Sequence, residues 1–167
     1  KVYNGFLRKR PSNPKSCLKS RFLTIRQSIY SCLYSFPTIF ATKKCMAIAE
    51  REYGSKHHLG NPANAFRHAL WVILITKKCL KWQNNEQKAK AWAKQFTDWH
   101  EDFSPNKALE RGMDLHNNAM GLRYFEQIKD RNEAETVSFL KQRASEAVKV
   151  LTVEEVKSIE DKLVYID

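Results

Sequence analysis

The sequence predicts a single all-α domain, and three observations carry that prediction. Apolar residues recur at three- and four-residue intervals along most of the chain, the helical period. Asn-Pro and capping-box signals mark helix starts at several points. Only 5 Gly and 5 Pro occur in 167 residues, too few turn formers for a many-stranded sandwich or barrel. With 43% hydrophobic residues the chain can bury one compact core. About seven or eight helices around a polar, histidine-containing centre are expected, and no strand.

Residues 1–16 mix basic residues with Pro and Ser and read as a basic arm or linker, leaving 17–167 as the helical domain. Leu18, Phe22, Ile25, Ile29, Leu33 and Phe36 keep helical spacing, and Pro37 is expected to end that helix. A second helix over about 38–53 offers Ile39, Met46, Ala49 and Tyr53 for burial. The glycine-bounded loop 54–60 carries His57 and His58, which are expected to be exposed or to rim an opening beside the next helix. Asn61 and Pro62 then give a cap and a first-turn proline for a helix reaching about Leu80. Asn85 caps a helix over about 86–102. Ser104-Pro105 is expected to open a short helix interrupted at Gly112. Helical spacing resumes over 113–129, and the pairs Asn132/Glu135 and Thr152/Glu155 head two further helical stretches.

The formal net charge of +11 is unevenly placed. Residues 1–50 hold ten Lys/Arg against one acid, whereas 51–167 are nearly balanced at nineteen against seventeen. A basic segment of this kind suits an anionic membrane, a nucleic acid or an acidic partner protein. Cys17, Cys32, Cys45 and Cys79 fall in no metal-ligand spacing and read as small buried hydrophobes, with their disulfide status open. No stretch is long and apolar enough for a transmembrane helix, and no signal-peptide pattern is present in this chain.

Polar residues on apolar faces mark the candidate site. Asn64, His68 and Trp71 form one stripe at i, i+4 and i+7, flanked by Arg67. On the next helix, Ala89, Ala93, Phe96, His100 and Phe103 form the most apolar stripe, so His100 should point inward with Glu101 at its edge. Asp114 and His116 follow. On an unbroken helix they point nearly opposite ways, with Asp114 sharing a face with Asn117, Asn118 and Gly121. A restart at Gly112 would instead let them converge. Burying so many polar groups is costly unless they pair or bind something.

The runs "NPANAFRHALW", "FTDWHE" and "MDLHNNAMG" resemble an uncharacterised helical domain marked by N-x-F-R-H-A-x-W, HE and MDLHNN motifs. That domain occurs in bacterial secreted proteins and at the C-terminal ends of polymorphic toxins. The resemblance covers about residues 45–130. It implies an antibacterial effector, secreted or delivered into a target bacterium, with a cognate immunity protein of acidic surface as partner. The motif positions here are Asn64, Arg67, His68, Trp71, His100, Glu101, Asp114, His116, Asn117 and Asn118.

The residue types themselves suggest hydrolysis of a phosphoester, a lipid or lipid-linked envelope phosphate in first place. His68, His100, Asp114 and His116 are the candidate ligands of a divalent metal, zinc or manganese. His100, Glu101, Arg67 and His68 are the catalytic candidates, with Glu101 as general base and Arg67 as phosphate clamp. Asn64, Trp71, Asn117 and Asn118 are the substrate-contact candidates. Metal-free His/Glu acid–base chemistry is the close competitor. A nuclease toxin acting on DNA or RNA comes second, and a non-enzymatic binding domain with a structural polar core is the alternative from another class.

Overall fold

The computed structural model describes the backbone from residue 14 and the side chains from residue 33 onward. The expectations for the basic arm, for the amphipathic face over 18–32, and for Cys17 and Cys32 lie outside the described side chains. The chain divides into two compact units, Lys1–Ser35 and Phe36–Asp167. The first is helical from Pro14 on. Everything below concerns the second.

The fold is all-α, with six α-helices among the described residues rather than seven or eight. Helix α1 spans Pro14–Tyr53 and continues past Pro37, where the sequence predicts its end. A proline inside a helix forfeits one hydrogen bond and crowds the carbonyl four residues back, at about 3 kcal/mol. Tertiary packing overrides that cost in the following turns. Thr38 accepts a hydrogen bond from the Trp92 indole at 2.9 Å, and Ala41, Cys45, Ile48 and Ala49 are buried. The buried face is therefore only partly the expected one: Ala49 is buried and Tyr53 half-buried, but Ile39 and Met46 remain exposed. A 3-10 turn, Gly54–His58, follows. It buries His57 against the Glu50 carboxylate at 3.2 Å, where exposure or a place at a rim was expected, and leaves His58 exposed beside the start of the next helix.

Helix α2 (Pro62–Gln83) is the central element. Asn61 caps it by accepting from the backbone N–H groups of Ala63 and Asn64. Between Ala63 and Thr76 every residue except Arg67 is buried, the signature of a helix enclosed on all sides. Helix α3 (Glu86–Phe103), α4 (Ala108–Ile128) and α5 (Glu133–Ser145) pack around it. No helix opens at Ser104-Pro105; the chain stays irregular to Lys107, whose N–H is capped by Glu110.

Gly112 does not interrupt α4, and a Cβ placed there would meet nothing within 4 Å. Gly121 does the structural work instead. A Cβ there would lie 2.6 Å from the Ala69 carbonyl and 2.4 Å from Val72, so α4 meets α2 backbone to backbone at that point.

Two short parallel strands, which the sequence did not announce, follow α5. Strand β1 (Val148–Lys149) pairs with β2 (Val164–Tyr165), and α6 (Val153–Ser158) lies between them. A small second core of Met113, Val150, Val156 and Val164 holds this segment to α4. Among the described residues no helix is long and apolar enough to cross a membrane. Cys45 and Cys79 are buried free thiols, as a reading of small buried hydrophobes requires.

Candidate functional site

The N-x-F-R-H-A-x-W stretch delivers His68 from the first two turns of α2, where it is almost wholly buried. Its hydrogen-bond partners fix its state. Arg67 donates from Nη2 to His68 Nε2 at 2.7 Å, so that nitrogen carries a lone pair. The Asn118 Oδ1 can only accept, so His68 Nδ1 donates to it at 3.3 Å. The imidazole is therefore neutral with its proton on Nδ1. Burial first, and then the Arg67 charge, holds it well below its ordinary value of 6.5.

Two carboxyl groups face this imidazole. Asp114 Oδ1 lies 3.1 Å from Nε2, and Glu101 Oε1 lies 3.7 Å from Nδ1. Both residues are buried, at 5% and 1% exposure, and neither of these oxygens has a hydrogen-bond partner. Burial, reinforced by the neighbouring Glu101 charge, pushes Asp114 up to about 7. Burial also raises Glu101, against the opposing pull of the Asn118 amide and Arg67.

Orphaned carboxylate oxygens beside a neutral imidazole form a donor set that a divalent cation satisfies, with His68 Nε2 exchanging its Arg67 hydrogen bond for the ion. One donor atom each from His68, Glu101 and Asp114 lies within 4.8 Å of the others, so these three residues can hold a metal. The set is not the expected one. His100 is exposed, its ring edge-on to Trp71 at 5.0 Å, and lies outside the cluster. Glu101 takes the inward place because the buried face of α3 runs Ala89, Ala93, Thr97, Glu101, one residue round from the apolar stripe.

Because α4 is unbroken, Asp114 and His116 diverge. His116 donates from Nε2 to the Lys162 carbonyl at 2.8 Å, away from the cluster. Asn117, expected at the substrate, is fully engaged elsewhere. Its side-chain amide exchanges two hydrogen bonds with the backbone of Val164, at 2.9 and 3.0 Å, in the manner of a neighbouring strand. Asn64 and Asn118 do stand at the centre, and the buried Asn64 Oδ1 has no partner. Trp71 donates to the Thr42 hydroxyl at 2.8 Å and presents its ring edge to Phe96 and His100.

Two cavities reach this centre. One, of about 200 Å³, is lined by His68 and Trp71; the other, of about 300 Å³, is lined by Asn64 and Asp114. Arg67 is the one residue lining both. Asn106 enters the second cavity and donates to Asp114 Oδ2 at 3.4 Å. It sits in the irregular segment before α4, where no periodicity could mark it.

A family model covers residues 26–148, spanning all three motifs and α1 to β1. The chain belongs to the DUF6973 family. The family is described as a domain of unknown function. It takes in the whole buried cluster and leaves out α6 and β2. No curated protein and no solved structure matches.

Proposed function

We propose that this DUF6973 domain is a hydrolase of phosphoesters, working as an antibacterial effector opposed by an immunity protein. The observation that carries the reading is the buried His68–Glu101–Asp114 cluster, with two carboxylate oxygens left unpartnered, set beside Arg67 at the wall of two cavities. His68, Glu101 and Asp114 would hold a divalent cation, zinc or manganese by the character of the N,O donor set. When bound, such an ion lowers the pKa of a water and polarises a phosphoryl oxygen.

The chain's own residues supply the rest. Arg67 is a forked donor suited to two oxygens of a phosphate, and it reaches both cavities. Attack of the water oxygen on phosphorus forms one P–O bond and breaks the ester P–O bond. The proton lost by the water passes to Asp114 Oδ2, the oxygen turned toward Asn106 and the polar cavity, and the leaving oxygen takes one back.

With no cation bound, burial and the Glu101 charge push Asp114 up to about 7, which supports a metal-free second reading in which Asp114 and His68 perform acid–base chemistry alone. Elemental mass spectrometry of untagged protein separates the two, beside His68→Ala and Glu101→Gln and with turnover measured on chromogenic phosphomonoesters and phosphodiesters. The metal reading requires about one equivalent of metal, lost in both variants while helicity persists, and turnover that disappears with it. Turnover without bound metal would leave the metal-free mechanism. No turnover of any phosphoester, with both variants unfolded, would make the cluster a structural polar core and overturn the hydrolase.

A further inference from the structure

The two cavities that share Arg67 in their walls differ in chemistry. The smaller is walled by Cys45 and Met46 from α1, Trp71 from α2 and His100 from α3. Its polar groups are spent away from the centre. The Thr42 hydroxyl donates to the Thr38 carbonyl and accepts from the Trp71 indole, and the Cys45 thiol faces the Arg67 carbonyl at 3.4 Å. Only at its Arg67–His68 end does this cavity present charge. On the helices that wall it, Ile39 of α1 is 51% exposed and Phe103 of α3 88% exposed. The larger cavity is the reverse, lined by His58, Asn64, Asn106, Glu110 and Asp114.

From this we infer that the substrate is an amphiphile, a phosphoester whose alkyl chain enters the Cys45–Met46–Trp71 cavity. Its phosphate rests at Arg67, and its polar group occupies the Asn64–Asn106–Glu110 cavity. The inference rests on the phosphoester reading above and adds the limb each cavity takes. Met46 becomes the specificity-determining residue, because it lines the apolar cavity and reaches its mouth at 37% exposure.

Titration calorimetry with inorganic phosphate and a series of straight-chain monoalkyl phosphates, kept below their micelle concentrations, tests this on wild type, Met46→Trp and Arg67→Gln. Affinity should rise by about fourfold per methylene until the cavity is filled, then level off. Met46→Trp, which fills the cavity, should erase that rise. Arg67→Gln should weaken every member of the series. Short and long chains binding alike, with Arg67 still required, would overturn the amphiphile and leave the phosphoester reading standing. A chain-length rise that survives Met46→Trp would also overturn it, since the chain would then lie elsewhere. No Arg67-dependent binding of any phosphate would remove both readings.

Discussion

His68 and Asp114 carry opposite signs in the pH dependence of stability. Asp114 is raised from its ordinary 3.8 to about 7, so between those values the folded protein binds more protons, and its stability falls as pH rises. His68 is held well below 6.5, so the folded protein binds fewer protons there and loses stability as pH falls below 6.5. Denaturant unfolding of wild type and Asp114→Asn across pH 4 to 7 isolates the first term. The variant should gain on wild type steadily as pH rises through that window, and a constant gap would show that the carboxyl is not raised. His68→Asn should gain on wild type as pH falls below 6.5. At this scale the α2 stripe was legible, because Asn64, His68 and Trp71 follow directly from helical spacing. The α3 residue was not. A hydrophobicity count favours Phe103 and His100, whereas Thr97 is buried at little cost by bonding the Ala93 carbonyl, and Glu101 is buried beside Arg67 and Asn118.

Helices α2 and α4 set the spacing of the cluster, and two glycines of α4 play unequal parts in it. Gly121→Ala should cost about 1–3 kcal/mol, because the added methyl meets the Ala69 backbone as well as the Val72 side chain, and the backbone cannot give way. Gly112→Ala should stabilise by about 0.5–1 kcal/mol, since its site is open and helical. Urea midpoints of the two variants check both signs, and a destabilised Gly112→Ala would mean that α4 does break there. Helix starts at Asn61, Asn85, Asn132 and Thr152 were readable because each carries its own local hydrogen bond. Gly112 was misread as a break although a helical glycine costs only about 1 kcal/mol, too little to end α4; Pro37 was misread for another reason. A local penalty of a few kcal/mol is visible in sequence, but the packing that outweighs it comes from residues such as Trp92, far along the chain.

Across the whole unit, the segment after α6 is laced to α4 by side chains that bond its backbone. His116 and Asn117 hold Lys162 and Val164, Tyr124 donates to the Asp161 carbonyl at 3.2 Å, and Arg123 donates to the Glu160 carbonyl. Gly60 accepts from the N–H groups of Ile166 and Asp167, which line the polar cavity. Asn117→Ala should therefore speed amide exchange over 162–167 by tenfold or more while the α2 amides stay protected, from the loss of two buried hydrogen bonds. Uniform loss of protection would make that segment inseparable from the main core. None of this was legible beforehand, since the partners are backbone groups without a side-chain signature. The Gly121 contact has one more consequence, for how such domains diversify. At Gly121 the α4 main chain comes against the Ala69 backbone of α2, and this close approach helps to fix the distance between His68 on α2 and Asp114 on α4. Cavity-lining positions such as Met46 can then be exchanged over generations without shifting the reacting groups, so one fixed centre can be inherited while the molecules it accepts change.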